Sequence, residues 1–569
     1  MKKSLNRLWP PLLTLAFGLA VFLFWRIRYP AALAYQEQFQ LFLLTGDYLR
    51  QALIVPAGLS RYVAEFVVQF YNNVTVGALL LALLLMVVQR LTWRIGGEKM
   101  SYALSFLPAV GLLFALGDEN LMLTFIVALI IVLISIWLLP RGQGWRSCAY
   151  LVVAIPVVYW MAGPVAVLLP TYFLLREVFT SKKKGRGIAL GLGAFVFLLF
   201  CVLLSSHLVP YSLQWLCFGI DYYRYPLVAS YAAAVSALLC VVVPFIRLPR
   251  GQWTEAVAVA CVAIVGAILV PSGFDVRKYD LIDYDYLVRT QQWQAVIAKS
   301  ERRQPDLPMS VCATNLALGM TGQLGDRAFQ FYQRGSQGLL PPFERNFAST
   351  LLTGEAYWHL GLVNTAQRFA FEAMEALPNY SKSCRAVKRL AETNLVNGQY
   401  NVARKYLEML QHTIFYSRWA DRMLQLLGNE KAIAEHPVYG RMRQLRLTDD
   451  FLFSEKETDK MIGQLFVHNP SNDLAKQYLL LCPLLDRDTN TFMQYLSVVQ
   501  DKVQYYPPVV QEGVAFAYYQ RRQQPPQGVV SDMMLQNMNR FVQAYSAGKD
   551  SPQLQAFRGT LWYYLSGAE

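Results

Sequence analysis

Apolar residues fill long, nearly unbroken runs in the first half of the chain. In the second half they fall into the 3.6-residue period of ordinary amphipathic helices. The runs have roughly the 16–20 residues needed to cross a hydrocarbon core of about 30 Å. Nine are read: about Leu8–Trp25, Val74–Val88, Tyr102–Leu116, Leu121–Leu139, Ala149–Met161, Val165–Phe179, Ile188–Ser205, Leu227–Ile246 and Ala256–Val270. The fifth and sixth are short and separated only by Ala162, Gly163 and Pro164, so they form a hairpin or a re-entrant pair. From about Phe274 onward, helical patterns alternate with Gly, Pro and polar breaks. The expected fold is all-α: a polytopic transmembrane helix bundle over 1–272, then a soluble helical domain over 273–569.

The connection between the first two runs holds two amphipathic stretches, Tyr35–Arg50 and Ala57–Phe70, within about 30–72. A plain linker has no need of them. Phe39, Phe42 and Leu43 fit one helical stripe that Leu41 widens, as in a helix lying in a membrane interface. Gly46 breaks or bends that helix before Asp47.

Charge orients the bundle. Lys2, Lys3 and Arg7 precede the first run. Arg90, Arg94 and Lys99, then Arg141 and Arg146, then Lys182, Lys183, Lys184 and Arg186, then Arg247 and Arg250 occupy every second connection. Cytoplasmic loops are enriched in Lys and Arg. The expected topology is therefore a multi-pass plasma (inner) membrane protein with a cytoplasmic N-terminus. Its C-terminal domain is extracytoplasmic, periplasmic in a bacterium. The first run is read as a retained anchor, because Arg26 and Arg28 separate its apolar core from the small residues at Ala32–Ala34. The net charge of +14 is absorbed by this loop bias, and no motif points to nucleic acid. The eight cysteines are scattered, which fits neither a disulfide framework nor a zinc site.

In the soluble half, "GEAYWHLGLVNTAQRFAFEAMEALP" (Gly354–Pro378) places Gly354, Tyr357, Gly361, Ala366, Ala373 and Pro378 where a tetratricopeptide repeat has small, aromatic and proline residues. Gly322, Gly361 and Gly398 mark similar turns, 39 and 37 residues apart; the usual period is about 34. An α-solenoid of tetratricopeptide-like repeats is expected. Such stacks present a concave surface, which either binds a protein or peptide or covers the membrane part.

No phosphate-binding loop, H-E-x-x-H, dinucleotide fingerprint or nucleophile elbow occurs. The candidates for chemistry are acids expected near the outer face: Glu37 and Asp47, Asp118 and Glu119, and Asp221 beside Tyr222, Tyr223, Arg224 and Tyr225. An ionisable group close to the bilayer is costly and thus a functional candidate; the competing reading of each is a solvated loop acid. Arg26, Arg28, Arg50, Arg61 and Arg224 fall on the same side, against the loop bias. Arginine suits phosphate recognition, and Arg26 and Arg28 equally suit snorkelling to headgroups. Asp221, Tyr222 and Tyr223 read either as an aromatic interface belt or as part of an acceptor or lipid site.

A long first outer loop with two interfacial helices and an acid, followed by a second acidic loop, resembles the GT-C superfamily of membrane glycosyltransferases. The resemblance is architectural and covers about residues 1–270. The first loop lacks an Asp-x-Asp, Glu-x-Asp or Asp-Asp pair. The resemblance implies a sugar donor on a polyprenyl phosphate or pyrophosphate and a protein or glycan acceptor. Glu37 is then the first choice of catalytic acid with Asp47 in reserve, Asp118 and Glu119 form the second acidic site, and the arginines hold the departing phosphate. No cofactor is required; the acids permit a divalent metal, but no ligand spacing demands one. The alternatives are a non-enzymatic scaffold that recruits envelope or secretion proteins through its repeats and, behind it, a transporter or flippase.

Overall fold

A computed structural model describes residues 2–140, 145–180, 184–224, 230–249, 251–344, 347–377, 381–448, 456–500, 505–548 and 552–567. Arg141, Lys182, Lys183, Tyr225, Leu227, Arg250 and Pro378, named above, lie outside them. The described residues are helical, and strand pairing among them is confined to isolated bridges. They form two compact units. The first is Met1–Tyr279 with Leu377–Cys384 and Met409–Arg418. The second is Asp280–Ala376, Arg385–Glu408 and Trp419–Glu569.

In the first unit the helices are α1 (Lys2–Leu23), α2 (Pro30–Glu37), α3 (Gly46–Leu53), α4 (Gly58–Val68), α5 (Val74–Gly96), α6 (Leu107–Ala115), α7 (Leu123–Leu138), α8 (Trp145–Ala162), α9 (Leu168–Thr180), α10 (Lys184–Leu208), α11 (Leu213–Phe218), α12 (Tyr231–Val242) and α13 (Gln252–Ser272). Five helical stretches are long and apolar enough to cross a membrane: Trp9–Arg28, Val74–Gly96, Trp145–Thr180, Lys184–Leu208 and Trp253–Ser272. Ala103–Ala115, Leu123–Leu138 and Tyr231–Phe245 are shorter apolar helices.

Trp145–Thr180 is not one straight rod. Gly163, at φ +66, opens a 3₁₀ turn over Gly163–Val167 between α8 and α9. The chain then doubles back: near the end of α9, Arg176 donates to the Pro140 carbonyl at 2.7 Å and to Ser147 Oγ at 3.2 Å, at the start of α8. Arg176 closes the base of a hairpin whose tip is the 3₁₀ turn.

Large apolar side chains face outward on several helices of this unit. Leu12, Leu15 and Leu19 on α1, Val196, Leu199 and Phe200 on α10, and Val257, Ile264 and Ile268 on α13 are all more than half exposed. Such exposed apolar faces are compatible with a membrane surrounding. Polar side chains turn inward instead. Thr14 Oγ1 donates to Gln89 Oε1 at 3.0 Å, and Gln89 Nε2 donates to Ser105 Oγ at 2.6 Å, tying α1 to α5 and to the turn before α6. Interhelical hydrogen bonds of this kind are the usual polar link between helices in lipid.

The second unit pairs helices joined by tight turns. Phe347–Leu360 packs on Val363–Glu375, Thr458–His468 on Asp473–Leu485, and the latter on Thr489–Val499. The turn glycines Gly322, Gly361 and Gly398 all have positive φ, at +71, +98 and +74. Its interior holds an ionic network. Arg385 grips Asp285 with two bonds of 2.9 and 2.8 Å and reaches Glu355 at 3.0 Å; Arg389 joins Glu355 at 2.7 Å and Glu392 at 2.9 Å. Burial penalises the Glu355 charge, but Arg389 and then Arg385 outweigh it and hold the carboxyl far below the usual range.

Candidate functional site

Four connections of the first unit meet at one end of the bundle: 29–73, 116–122, 162–167 and 209–224. Local chemistry shapes each of them. Thr45 caps α3, accepting from the Tyr48 backbone N–H at 3.2 Å, which satisfies one of the open donors of the first turn. Ala57 starts α4 in the left-handed region at φ 64, a conformation that is strained without glycine. It is held there by a bond from its N–H to the Trp160 carbonyl at 3.0 Å, while Ser60 Oγ donates to Met161 O at 2.5 Å. The first connection is thus clamped onto the α8–α9 hairpin tip.

The 219–224 turn does the rest. Gly219 has φ +110, and a Cβ there would lie 2.2 Å from the Tyr222 ring, so only glycine lets that ring fold back. The Tyr222 hydroxyl then donates to the Ala162 carbonyl, again at the hairpin tip. On its other side the turn pairs with 120–122: Met122 N–H donates to Tyr222 O at 2.8 Å and Arg224 N–H to Asn120 O at 2.7 Å. Tyr222 and Tyr223 are both buried, so their rings do not face outward as a belt.

This turn presents two charged side chains in different directions. Asp221 accepts from Arg61 Nη1 at 2.9 Å. One helical turn along α4 from Arg61 is Glu65, which is 6% exposed and accepts a bond from the Tyr48 hydroxyl. Burial pushes the Glu65 carboxyl up to about 7; Arg61 and the Tyr48 bond oppose the shift, and Asp221 adds to it. Burial works against the Arg61 charge, but Asp221 and then Glu65 more than compensate and hold it firmly protonated. Arg61 Nε is buried and has no hydrogen-bond partner among the described residues.

Arg224 points the other way. Its guanidinium donates to Asn120 Oδ1 from Nε and Nη2, both at 3.3 Å, and to the Tyr35 hydroxyl at 3.2 Å, and it sits 3.7 Å over the Phe39 ring. Asn120 is fixed in turn by Asp118 Oδ1, which accepts from its backbone at 2.9 Å and its side chain at 3.1 Å. Glu119 pairs with Lys278 at 2.8 Å.

Glu37, two residues from both Tyr35 and Phe39, is buried. Its Oε1 accepts from the Tyr416 hydroxyl at 2.9 Å and from the Cys384 thiol at 3.3 Å. Asp47 is exposed in the first turn of α3, and Arg50 is exposed in its last turn. Arg26 is exposed and bonds Thr75 Oγ1 at 2.9 Å; Arg28 is exposed and lies 5.3 Å over the Tyr29 ring. Among the described residues no group of three or more His, Cys, Asp or Glu side chains is placed to hold a metal.

Beside this end runs an apolar groove of about 400 Å³, lined by α1, the α6 region and α13. Phe24, Val270 and Pro271 belong to its lining, and Phe24 meets Phe274 at 5.2 Å, which stacks on Tyr29 at 4.5 Å.

A model of a family of unknown function (DUF6057) matches residues 5–568. The chain belongs to the DUF6057 family. No curated protein and no solved structure matches it.

In this DUF6057 chain, sequence reading found Arg61, Asp221 and Arg224 and missed Glu65 and Tyr48. A signal for Glu65 was present: it is the single acid in the amphipathic run Ala57–Phe70, and it lies one turn after Arg61. What that spacing lacks is any sign that both side chains turn inward.

Proposed function

We propose that this protein is a membrane glycosyltransferase of GT-C-like organisation. It transfers a sugar from a polyprenyl phosphate or pyrophosphate to an acceptor hydroxyl at the outer face. The helical passes α1, α5, α6, α7, α8, α9, α10, α12 and α13 are the nine crossings, with a cytoplasmic N-terminus. The α3–α4 connection then lies outside the bilayer, and the second unit is an extracytoplasmic tetratricopeptide-like domain.

One observation carries the reading: a buried carboxyl, Glu65, held near neutrality beside an arginine with an open, buried donor. A general base works best with a pKa near the operating pH, and a desolvated carboxyl beside a specific charge partner marks a functional site. Glu65 takes the proton of the acceptor hydroxyl as its oxygen bonds to the anomeric carbon. The bond from that carbon to the phosphate oxygen breaks, and the electron pair leaves with the lipid phosphate. Arg61 Nε, buried and without a hydrogen-bond partner among the described residues, receives that phosphate, and Asp221 positions Arg61. The apolar groove suits the lipid tail. On this reading Glu65 replaces Glu37 as the base, and Glu37 is a tie to Tyr416 and Cys384.

The test uses the full chain in vesicles made with native lipid extract. Copurifying polyprenyl phosphate is sought, and transfer of labelled lipid-linked sugar is followed. Glu65→Gln is expected to lower transfer by about 10²–10⁴-fold, while Asp47→Asn leaves it unchanged. Absence of bound polyprenyl lipid together with absence of transfer overturns the reading.

A further inference from the structure

The second unit contains a pocket of about 700 Å³ built from three separated stretches, 304–306, 329–332 and 555–564. Its size lies within the usual range for ligand sites, roughly 300–1,000 Å³. Its chemistry is distinctive: aromatic rings form the floor, and planar polar groups stand at the rim.

The floor is held rigidly. Tyr564 donates its hydroxyl to the Leu485 carbonyl at 2.6 Å and packs on Phe329 with centroids 5.1 Å apart. Tyr563 donates to Gln555 Oε1 at 3.4 Å. Gln304 staples the first stretch to the second: its Oε1 accepts from the Tyr332 N–H at 2.9 Å, and its Nε2 donates to Gln330 O at 3.3 Å. Gly559, at φ +93, brings the third stretch close; a Cβ there would stand 3.5 Å from Gln330 Cα. The walls therefore need little ordering when a ligand arrives, which conserves binding free energy.

The rim is open. Tyr332 is 43% exposed. Gln555 Nε2 and the Arg558 guanidinium make no hydrogen bond among the described residues, and both residues are exposed. Two nearby cations are paired, Arg327 with Glu301 and Arg303 with Asp306.

We propose that this pocket is a glycan-binding site, taking an oligosaccharide against Tyr332 and the aromatic floor, with its hydroxyls on Gln555 and Arg558. Vicinal hydroxyls both donate and accept. A primary amide offers both functions, and a guanidinium offers a planar fork of donors. Flat apolar rings suit the C–H faces of pyranose rings and still present a polar edge. A peptide added as a strand needs an open sheet edge, and among the described residues around the pocket strand pairing is limited to the isolated Arg334–Ser336 bridge. The inference goes beyond the transfer chemistry, because the pocket takes ligand whether or not the bundle is an enzyme.

The full chain in detergent is applied to an array of neutral and uronic-acid oligosaccharides, and hits are titrated by ligand-observed NMR. Saturable binding of an oligosaccharide is expected. Tyr332→Ala and Arg558→Ala each weaken it at least tenfold, while Lys460→Ala, a change at an exposed site away from the pocket, does not. Thermal unfolding of the same variants establishes that the fold is intact. Transfer activity is measured separately, so loss of one reading leaves the other standing. Absence of oligosaccharide binding, binding indifferent to both pocket variants, or competition by a proline-rich peptide instead of sugar overturns the proposal.

Discussion

Arg61 and Asp221 stand 160 positions apart in the chain and meet at 2.9 Å, and their pair sets the charge around Glu65. Both members are largely withdrawn from solvent, at 16% and 6% side-chain exposure. Removing one partner of such a pair leaves a buried charge uncompensated, at a cost of about 3–5 kcal/mol. Arg61→Ala should lower the thermal unfolding midpoint in nanodiscs strongly, and the Arg61→Ala/Asp221→Asn double variant should recover much of the loss. Additive losses would sink the assignment of a coupled pair.

The same pair tunes Glu65 in opposite directions. Arg61 lowers the Glu65 pKa and Asp221 raises it. If Glu65 acts as base, transfer activity rises with pH through about 7. Asp221→Asn should move that midpoint to lower pH. Tyr48→Phe, which deletes a hydrogen bond to the carboxylate, should move it to higher pH. A pH–rate series on these variants reads both signs, and a midpoint indifferent to all of them excludes Glu65.

Glu65 also makes a stability prediction. Its folded pKa, about 7, lies above the ordinary value of 4.5. The neutral carboxyl is the form the fold favours, so its contribution is complete below 4.5 and disappears as pH rises through 7. The difference corresponds to roughly 3 kcal/mol. Glu65→Gln should therefore raise thermal stability at pH 8 and change it little at pH 4.5, while removing activity. An active-site group that costs stability is the expected trade-off.

Acid should act on the second unit by another route. Burial lowers the His359 pKa to about 4, although Glu355 opposes the shift, and Glu355 itself is held far below the usual carboxylate range. Both shifts are downward, so both contributions are present at neutral pH and lost on acidification. The His359 part fades between 6.5 and 4, and the Glu355 part below 4.5. His359→Gln should flatten the upper portion of the acid-unfolding curve, measured as helix content against pH.

Two turn glycines separate backbone strain from crowding. Gly398 has φ +74 with open space where a Cβ would go, whereas Gly361 has φ +98 and a Cβ there would meet Leu445 backbone oxygen at 2.9 Å. Gly398→Ala should cost about 1–2 kcal/mol, the left-handed penalty alone. Gly361→Ala should cost more, because the Leu445 backbone must also shift. Equal unfolding midpoints for the two variants would contradict this.

Much of the helical architecture was legible in the chain itself. Long apolar runs, a 3.6-residue period and turn glycines are local signals, and each is read within one or two turns of its own neighbours. The hairpin reading of Ala149–Phe179 was available as one of two options; Arg176 on Pro140 and Ser147 supplies the contact that makes it double back. The candidate site was less legible, because its chemistry depends on distance in space. Glu37, Asp47 and Glu65 are equivalent in sequence, each an acid in an amphipathic connection. In the folded chain Glu37 is buried and tied to Tyr416 and Cys384, Asp47 is exposed, and Glu65 is a desolvated carboxyl, pushed up to about 7, one helical turn from Arg61. The sequence by itself determined that this protein is helical, rich in apolar helices and carries acids and arginines in the connections between them. Tertiary structure alone decided what surrounds each buried acid and that Asp221 meets Arg61 beside Glu65, because electrostatic environment is fixed by residues brought together from as far as 160 positions away.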